Sequence, residues 1–380
     1  MSIKSCLNKL CFIFLISIFL CPEVTFASGI PCNPLEDLEE VFLLPQWDKI
    51  PYKNQQESKE RIEEVNKLSP TLNWRYSKYQ PVFACISFAA ATVCDWWAIQ
   101  YGWKHGSYTN FFNGKVESGF NPRVLEAEYV NLGKKNPVTY PIIPFDLVHK
   151  TWVPATTRGI AHILASYTDK IVTDPILPNE KWEIKAGMYP IEEKWIFNKR
   201  LNFKNNDDFT FYMIRALHHY GIIYTMLEYI GKLNIIPGTH CVSIIGYGKT
   251  KDKGETVFII HDNYGNNPKD YKGEDGKPAY RYADARAIES VISFLHKPVV
   301  RILPEGNDYQ IFFQNAGGQP IKILRASYYS DSLGKEMKLD PENCVIQKSV
   351  ITDNKIKVYV EAEFYMSDFG KGYWLDVFIP

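Results

Sequence analysis

The stretch Gln80–Trp97, QPVFACISFAAATVCDWW, puts Cys85 at the head of an apolar run and Cys94 nine residues on. Ile86, Ala89, Ala90, Val93 and Trp97 recur at helical spacing, which predicts a helix over Cys85–Tyr101 with one apolar side, and Gly102 is a natural stop. On such a helix the two cysteines stand about 13 Å apart, too far to bridge each other. Cys85 is then either a small core residue or a nucleophile in the first turn, where the helix end carries about half a positive charge and favours a thiolate.

The partner such a nucleophile needs lies far downstream. THCVSIIGYG from Thr239 and TVFIIHDNYG from Thr256 are β-rich runs separated by KTKDKGE, which predicts a hairpin. A turn centred on residue 251 opposes His240 to Asp262, with Cβ atoms roughly 5 Å apart. His240, Val242 and Ile244 then share a face, as do Phe258, Ile260 and Asp262, while Asn263 points away unless a bulge shifts the register. A carboxylate beside an imidazole fixes its tautomer and stabilises its cation, leaving the second ring nitrogen to take a proton from a nucleophile. Cys85, His240 and Asp262 are therefore chemically complete for acyl transfer. His261 faces the other way and is read as structural; His218 and His219 close a helix, where a cation suits the dipole. Cys94, and Cys241 on the strand face opposite His240, are read as core or disulfide residues.

FACISFAAATVCDWW, THCVSIIGYG and VFIIHDNYG together resemble the papain superfamily of cysteine peptidases. LNWR from Leu72 is similar to a motif near the start of the mature papain domain, and RALHHYG before IIYTMLEY to the helix–Gly–strand unit ahead of the family's histidine. The resemblance covers residues 70–297 and implies a nucleophile opening a central helix, a base opening a strand, and a third member after the next strand. It implies Gln80, with the Cys85 N–H, as the oxyanion donor. Gln80 stands five residues before Cys85, where the family usually has six, and the interval from Cys85 to His240 slightly exceeds the usual ~130–150 residues. The family's Cys-Gly-Ser-Cys-Trp is absent. Asp262 in place of Asn is similar to the bacteriocin-processing branch, with Asn263 the alternative. Transglutaminase-like enzymes also use Cys, His and Asp, so acyl transfer or deamidation remains an alternative reaction. An inactive binding protein on the same fold is a further one.

The 380-residue chain as a whole is 46% hydrophobic and 14% aromatic. Its formal net charge is zero, which gives no support for nucleic-acid binding. Lys4, Lys9, the apolar run LCFIFLISIFLC and the small residues of TFASG read as a signal peptide over residues 1–27, cut after Ala27. Export to the periplasm or outside the cell follows, with no membrane attachment after removal. Cys32, Cys85, Cys94, Cys241 and Cys344 then remain, an odd number whose pairing is not legible, and no CxxC suggests a thiolate metal site. No metal or organic cofactor is implied, and the expected partner is a peptide or protein substrate.

Residues 28–70 read as an N-terminal segment, either a short pro-segment or a surface arm, and 71–298 as the α+β peptidase-like domain with helical and antiparallel β parts. Helices are expected from Asn121 to Gly133 and from Asp207 to Gly221, while 134–207 shows no legible order; Trp96 and Trp97 are expected in the core. After Pro298 short alternating strands such as KIKVYVEAEF predict a small antiparallel β-sandwich over 299–380.

Overall fold

The computed structural model describes residues 30–54, 63–64, 67, 84–102, 105–111, 113–136, 142–144, 152–154, 157–165, 170–174, 177–184, 191–228, 239–263, 279–330, 333–351, 355–364 and 368–379. The predicted signal peptide, LNWR and Gln80 lie outside them. Among the described residues no helix is long and apolar enough to cross a membrane.

Four helices of eight residues or more are described: α1 (Ala84–Gln100), α2 (Pro122–Lys135), α3 (Thr157–Leu164) and α4 (Asn206–Tyr220). The expected one-sided apolar face of α1 is not what is found. Cys85 to Ala98 are buried all round, Trp96 and Trp97 included, so α1 is a central helix with no wet side. Its one acidic residue, Asp95, survives burial by pairing with Lys53, itself fully buried. α1 ends where Gly102 takes a φ of +70°.

Asn121 caps α2 by accepting from the Arg123 amide at 3.0 Å, and Pro122 occupies the first turn. The expected stop at Gly133 is overrun by two residues, to a cap at Asn136. Burial of most of this helix outweighs the ~1 kcal/mol that an interior glycine costs. α2 is tied to α1 and to the 174 loop by buried polar groups: Ser87 donates to Glu126, and Arg123 grips Glu126 and, through two nitrogens, Asp174. α4 is capped by Asn205 and ends at Gly221, whose φ of +76° and contact with the Trp96 ring leave no room for a Cβ.

Of these helices α1, α3 and α4 pack on an antiparallel eight-stranded sheet. Its strands are β1 (Ile30–Pro31), β2 (Leu38–Leu43), β3 (Ile191–Lys199), β4 (Ile223–Glu228), β5 (Thr239–Thr250), β6 (Thr256–Asp262), β7 (Ala279–Ala283) and β8 (Ile288–His296). They lie in the order β1-β7-β6-β5-β4-β8-β3, with β2 also paired to β5. Residues 30–54, expected to be a pro-segment or surface arm, thus give two strands to this sheet and the partner of Asp95. Gly246 falls where β2 crosses β5, and a Cβ there would strike the Phe42 carbonyl, which gives the GYG pattern a packing reason. The middle of the chain also carries order the sequence did not show. Besides α3 and β3 it holds two ribbons, Ile142–Pro144 with Trp152–Pro154 and Lys170–Thr173 with Lys181–Ile184.

Beyond Pro298 lie two further antiparallel sheets. One joins β9 (Val299–Glu305), β10 (Asp308–Gln314) and β13 (Val345–Gln347); the other joins β11 (Lys322–Ser330), β12 (Lys335–Leu339), β14 (Lys355–Phe364) and β15 (Asp368–Phe378). They share a second core that includes Ile311, Phe313, Val358, Val360 and Leu375. In β14, Ile356, Val358, Val360 and Ala362 are buried while Lys357 is exposed, the predicted alternation.

Candidate active site

β5, the middle strand of the sheet, packs directly on α1. Ser243 donates to the Ala89 carbonyl at 2.9 Å, and Tyr224 from the neighbouring β4 donates to the Ile86 carbonyl at 3.1 Å. This contact brings the first turn of α1, with Cys85 as its second residue, to the start of β5, where His240 lies.

The hairpin register differs from the predicted one. Ser243 pairs with His261 and Ile244 with Ile260, and the register shifts by one residue at Ile245. The turn closes on Lys251–Lys253, later than expected. Continued one step, the pairing sets Asp262 opposite Val242 rather than His240. The slip is two residues, so the faces are preserved, and His240 meets Asp262 along the diagonal with Nε2 2.9 Å from Oδ1. On the other side of β6, Asp262 pairs with Ala279 and Ile260 with Arg281. Arg281 therefore reaches the same carboxylate along the opposite diagonal, Nε to Oδ2 at 3.2 Å, in a buried ion pair. Each oxygen of Asp262 thus has a cationic neighbour on an adjacent strand.

Asn263 points away, as alternation requires, and donates to Thr92 on α1 at 2.9 Å. It is Asp262 that faces His240. With Nε2 engaged by Asp262, the remaining ring nitrogen is Nδ1, and the His240 ring hydrogen-bonds the Cys85 sulfur.

One further group was assigned elsewhere by the sequence. Cys241, expected in the core or in a disulfide, is in no disulfide, and neither are Cys32, Cys85, Cys94 and Cys344; it hydrogen-bonds Cys85. Alternation does turn Cys241 away from the His240 face, but α1 covers the face it turns to. Its neighbour Tyr224 also hydrogen-bonds it. The adjacency of Cys241 to His240 was the only sequence signal available for it. Arg281 had none, because its role comes from the β6–β7 pairing.

The electrostatics follow from these contacts. The Cys241 S–H donating to Cys85, together with the bond to and charge of His240, holds the Cys85 thiol well below its ordinary range despite burial. Cys241 moves the opposite way, pushed up by burial and then by the neighbouring Cys85 thiolate. Burial opposes the charging of His240, but the Asp262 carboxylate outweighs it and, with Cys85, pushes the imidazole up to about 10. Both shifts favour the thiolate–imidazolium form of the pair, whose imidazole is 13% exposed. The other predicted member, Gln80, lies outside the described residues. Among the described residues no group of three or more His, Cys, Asp or Glu side chains is placed to hold a metal ion.

No family model matches the chain, and no curated protein does. Among solved structures, it resembles a chain from work on antibody cross-reactivity between the mite allergens Blo t 1 and Der p 1, at a TM-score of 0.34 and 11% identity over 71% of this chain and 76% of that one. It also resembles proCathepsin B S9 from Trypanosoma congolense, at a TM-score of 0.30 and 12% identity over 71% and 83%. Likeness at this level carries no argument about the site.

Proposed function

We propose that the protein is an exported cysteine peptidase of papain type, with Cys85 as nucleophile, His240 as base and acid, and Asp262 as the group that orients His240. The observation that carries this reading is the contact chain Cys85–His240–Asp262, built from a helix start and two adjacent strands. The Cys85 thiolate attacks the amide carbonyl, and the C–S bond forms as the carbonyl oxygen takes the charge. The first turn of α1 directs its positive end at that oxygen. His240 gives its Nδ1 proton to the leaving amine, the C–N bond breaks, and a thioester remains. Water, losing a proton to Nδ1, then attacks the thioester, the C–S bond breaks, and Cys85 leaves as the thiolate beside the imidazolium. Asp262 keeps Nε2 engaged throughout, so Nδ1 alone exchanges the proton.

The test is Cys85→Ala in the folded protein. Peptide hydrolysis and labelling by a thiol-directed epoxide are both expected to vanish while thermal unfolding stays close to wild type. Undiminished hydrolysis in that variant overturns the mechanism. Incorporation of a primary amine into glutamine, without hydrolysis of peptide bonds, would replace it by a transglutaminase-like reaction.

A further inference from the structure

The contact that the proposed mechanism does not use is the one between two thiols. Ser243 meets Ala89 across the β5–α1 interface. Two residues back along β5, about 6.5 Å, stands Cys241. One turn back along α1, about 6 Å, stands Cys85. The two steps match, so Cys241 and Cys85 face each other as the next rung of the same interface. The hydrogen bond between their sulfurs agrees with that placement. Close packing of β5 on α1 asks for a small side chain at position 241, as Ser243 shows one rung on, but it does not ask for a thiol.

We infer that Cys241 is a resolving cysteine, which converts an oxidised Cys85 into a reversible Cys85–Cys241 disulfide. The oxidant is a hydroperoxide, small enough to enter where His240 is partly open. The Cys85 thiolate attacks the peroxide oxygen, the O–O bond breaks, and Cys85 becomes a sulfenic acid as alkoxide or hydroxide departs. The Cys241 sulfur attacks the Cys85 sulfur, the S–O bond breaks, and water leaves with the Cys241 proton. Overall the two thiols together lose two electrons, one from each sulfur in the finished disulfide, and the peroxide is reduced by two. An external dithiol reverses the bond by exchange. In the disulfide the sulfur of Cys85 is no longer a nucleophile, and it is spared oxidation to the sulfinic acid. The sulfur chemistry stands on the β5–α1 geometry; only the consequence for hydrolysis rests on the proposed function.

The experiment treats the purified, reduced full chain with hydrogen peroxide and reads intact mass, a non-reducing peptide map and alkylation of Cys85. Wild type is expected to lose two hydrogens, to show the peptide of Cys85 joined to that of Cys241, and to regain Cys85 alkylation fully with dithiothreitol. Cys241→Ser and Cys241→Ala are expected to gain two oxygens at Cys85 and to regain nothing. Wild type that proceeds to the sulfinic acid as fast as these variants, or that joins Cys85 to another cysteine, overturns the inference. The map requires no activity, so a Cys85–Cys241 disulfide in a chain that hydrolyses nothing would refute the proposed function and leave this inference standing.

Discussion

His240, 13% exposed, and His261, fully buried, lie on adjacent strands of one sheet, yet they are driven in opposite directions. His240 has the Asp262 carboxylate on one ring nitrogen and Cys85 at the ring, and is pushed up to about 10. His261, fully buried on the face turned towards α1, has no hydrogen-bond partner for either nitrogen among the described residues, and burial pulls it down to about 3, with Lys53 adding to the shift. The Asp262 charge acts on both rings, but only His240 is hydrogen-bonded to that carboxylate; burial and Lys53 keep His261 a neutral structural imidazole, whereas the bonded carboxylate makes His240 a cation that can activate a thiol.

Removing the charged member is the most damaging way to break the comparison. His240→Ala should lower kcat/KM by about 10³-fold or more, within the range of a lost general base, whereas His261→Leu should leave it within about threefold; steady-state kinetics on one peptide decides. Asp262→Asn should follow, at about 10²-fold. It removes the charge that raises His240, so the alkaline limb of the pH–rate profile should fall from about 10 towards the ordinary histidine range. A limb that stays in place would show that another group sets it.

Arg281→Met should act more on stability than on chemistry. It strips one cationic neighbour from a buried carboxylate while His240 keeps the other oxygen, and breaking a buried pair costs about 3–5 kcal/mol. Denaturant melts should show the loss, with kcat reduced less than in Asp262→Asn. The smallest effect sharpens the comparison through pH. Unfolded His261 binds a proton below about 6.5, but folded His261 refuses it down to about 3, so stability falls as pH drops through that window. His240 has the opposite sign: its contribution is complete below about 6.5 and is lost as pH rises through about 10. His261→Leu should therefore move the acid-unfolding midpoint to lower pH and leave the alkaline one unchanged.

Much of this arrangement was legible because its signals are local. Cys85 opens an apolar helical run, His240 opens a strand and Asp262 closes the next, and alternation within each strand holds whatever the register. The register itself was misplaced by two residues because the bulge at Ile245 and the later turn have no sequence mark. The slip preserved the faces, so the His240–Asp262 pair survived as a diagonal. What could not be read depends on packing between distant segments. Cys241 counts only because α1 covers its face, Arg281 only because β7 pairs with β6, and Lys53 only because the fold buries Asp95 against it. The segment 134–207 hid its ribbons for the same reason, since three- and four-residue strands leave too little alternation to detect.

The central claim is that Cys85 is held as a thiolate against an imidazolium. The most direct measurement is the rate of Cys85 alkylation by iodoacetamide against pH, followed by mass spectrometry at that residue in the reduced protein. The rate should be level through neutral pH, with an acid inflection well below the ~8.5 of an ordinary thiol. Conversion of His240 to Ala should return that inflection towards the ordinary value. An inflection near 8.5 in wild type, unmoved in His240→Ala, would contradict the account.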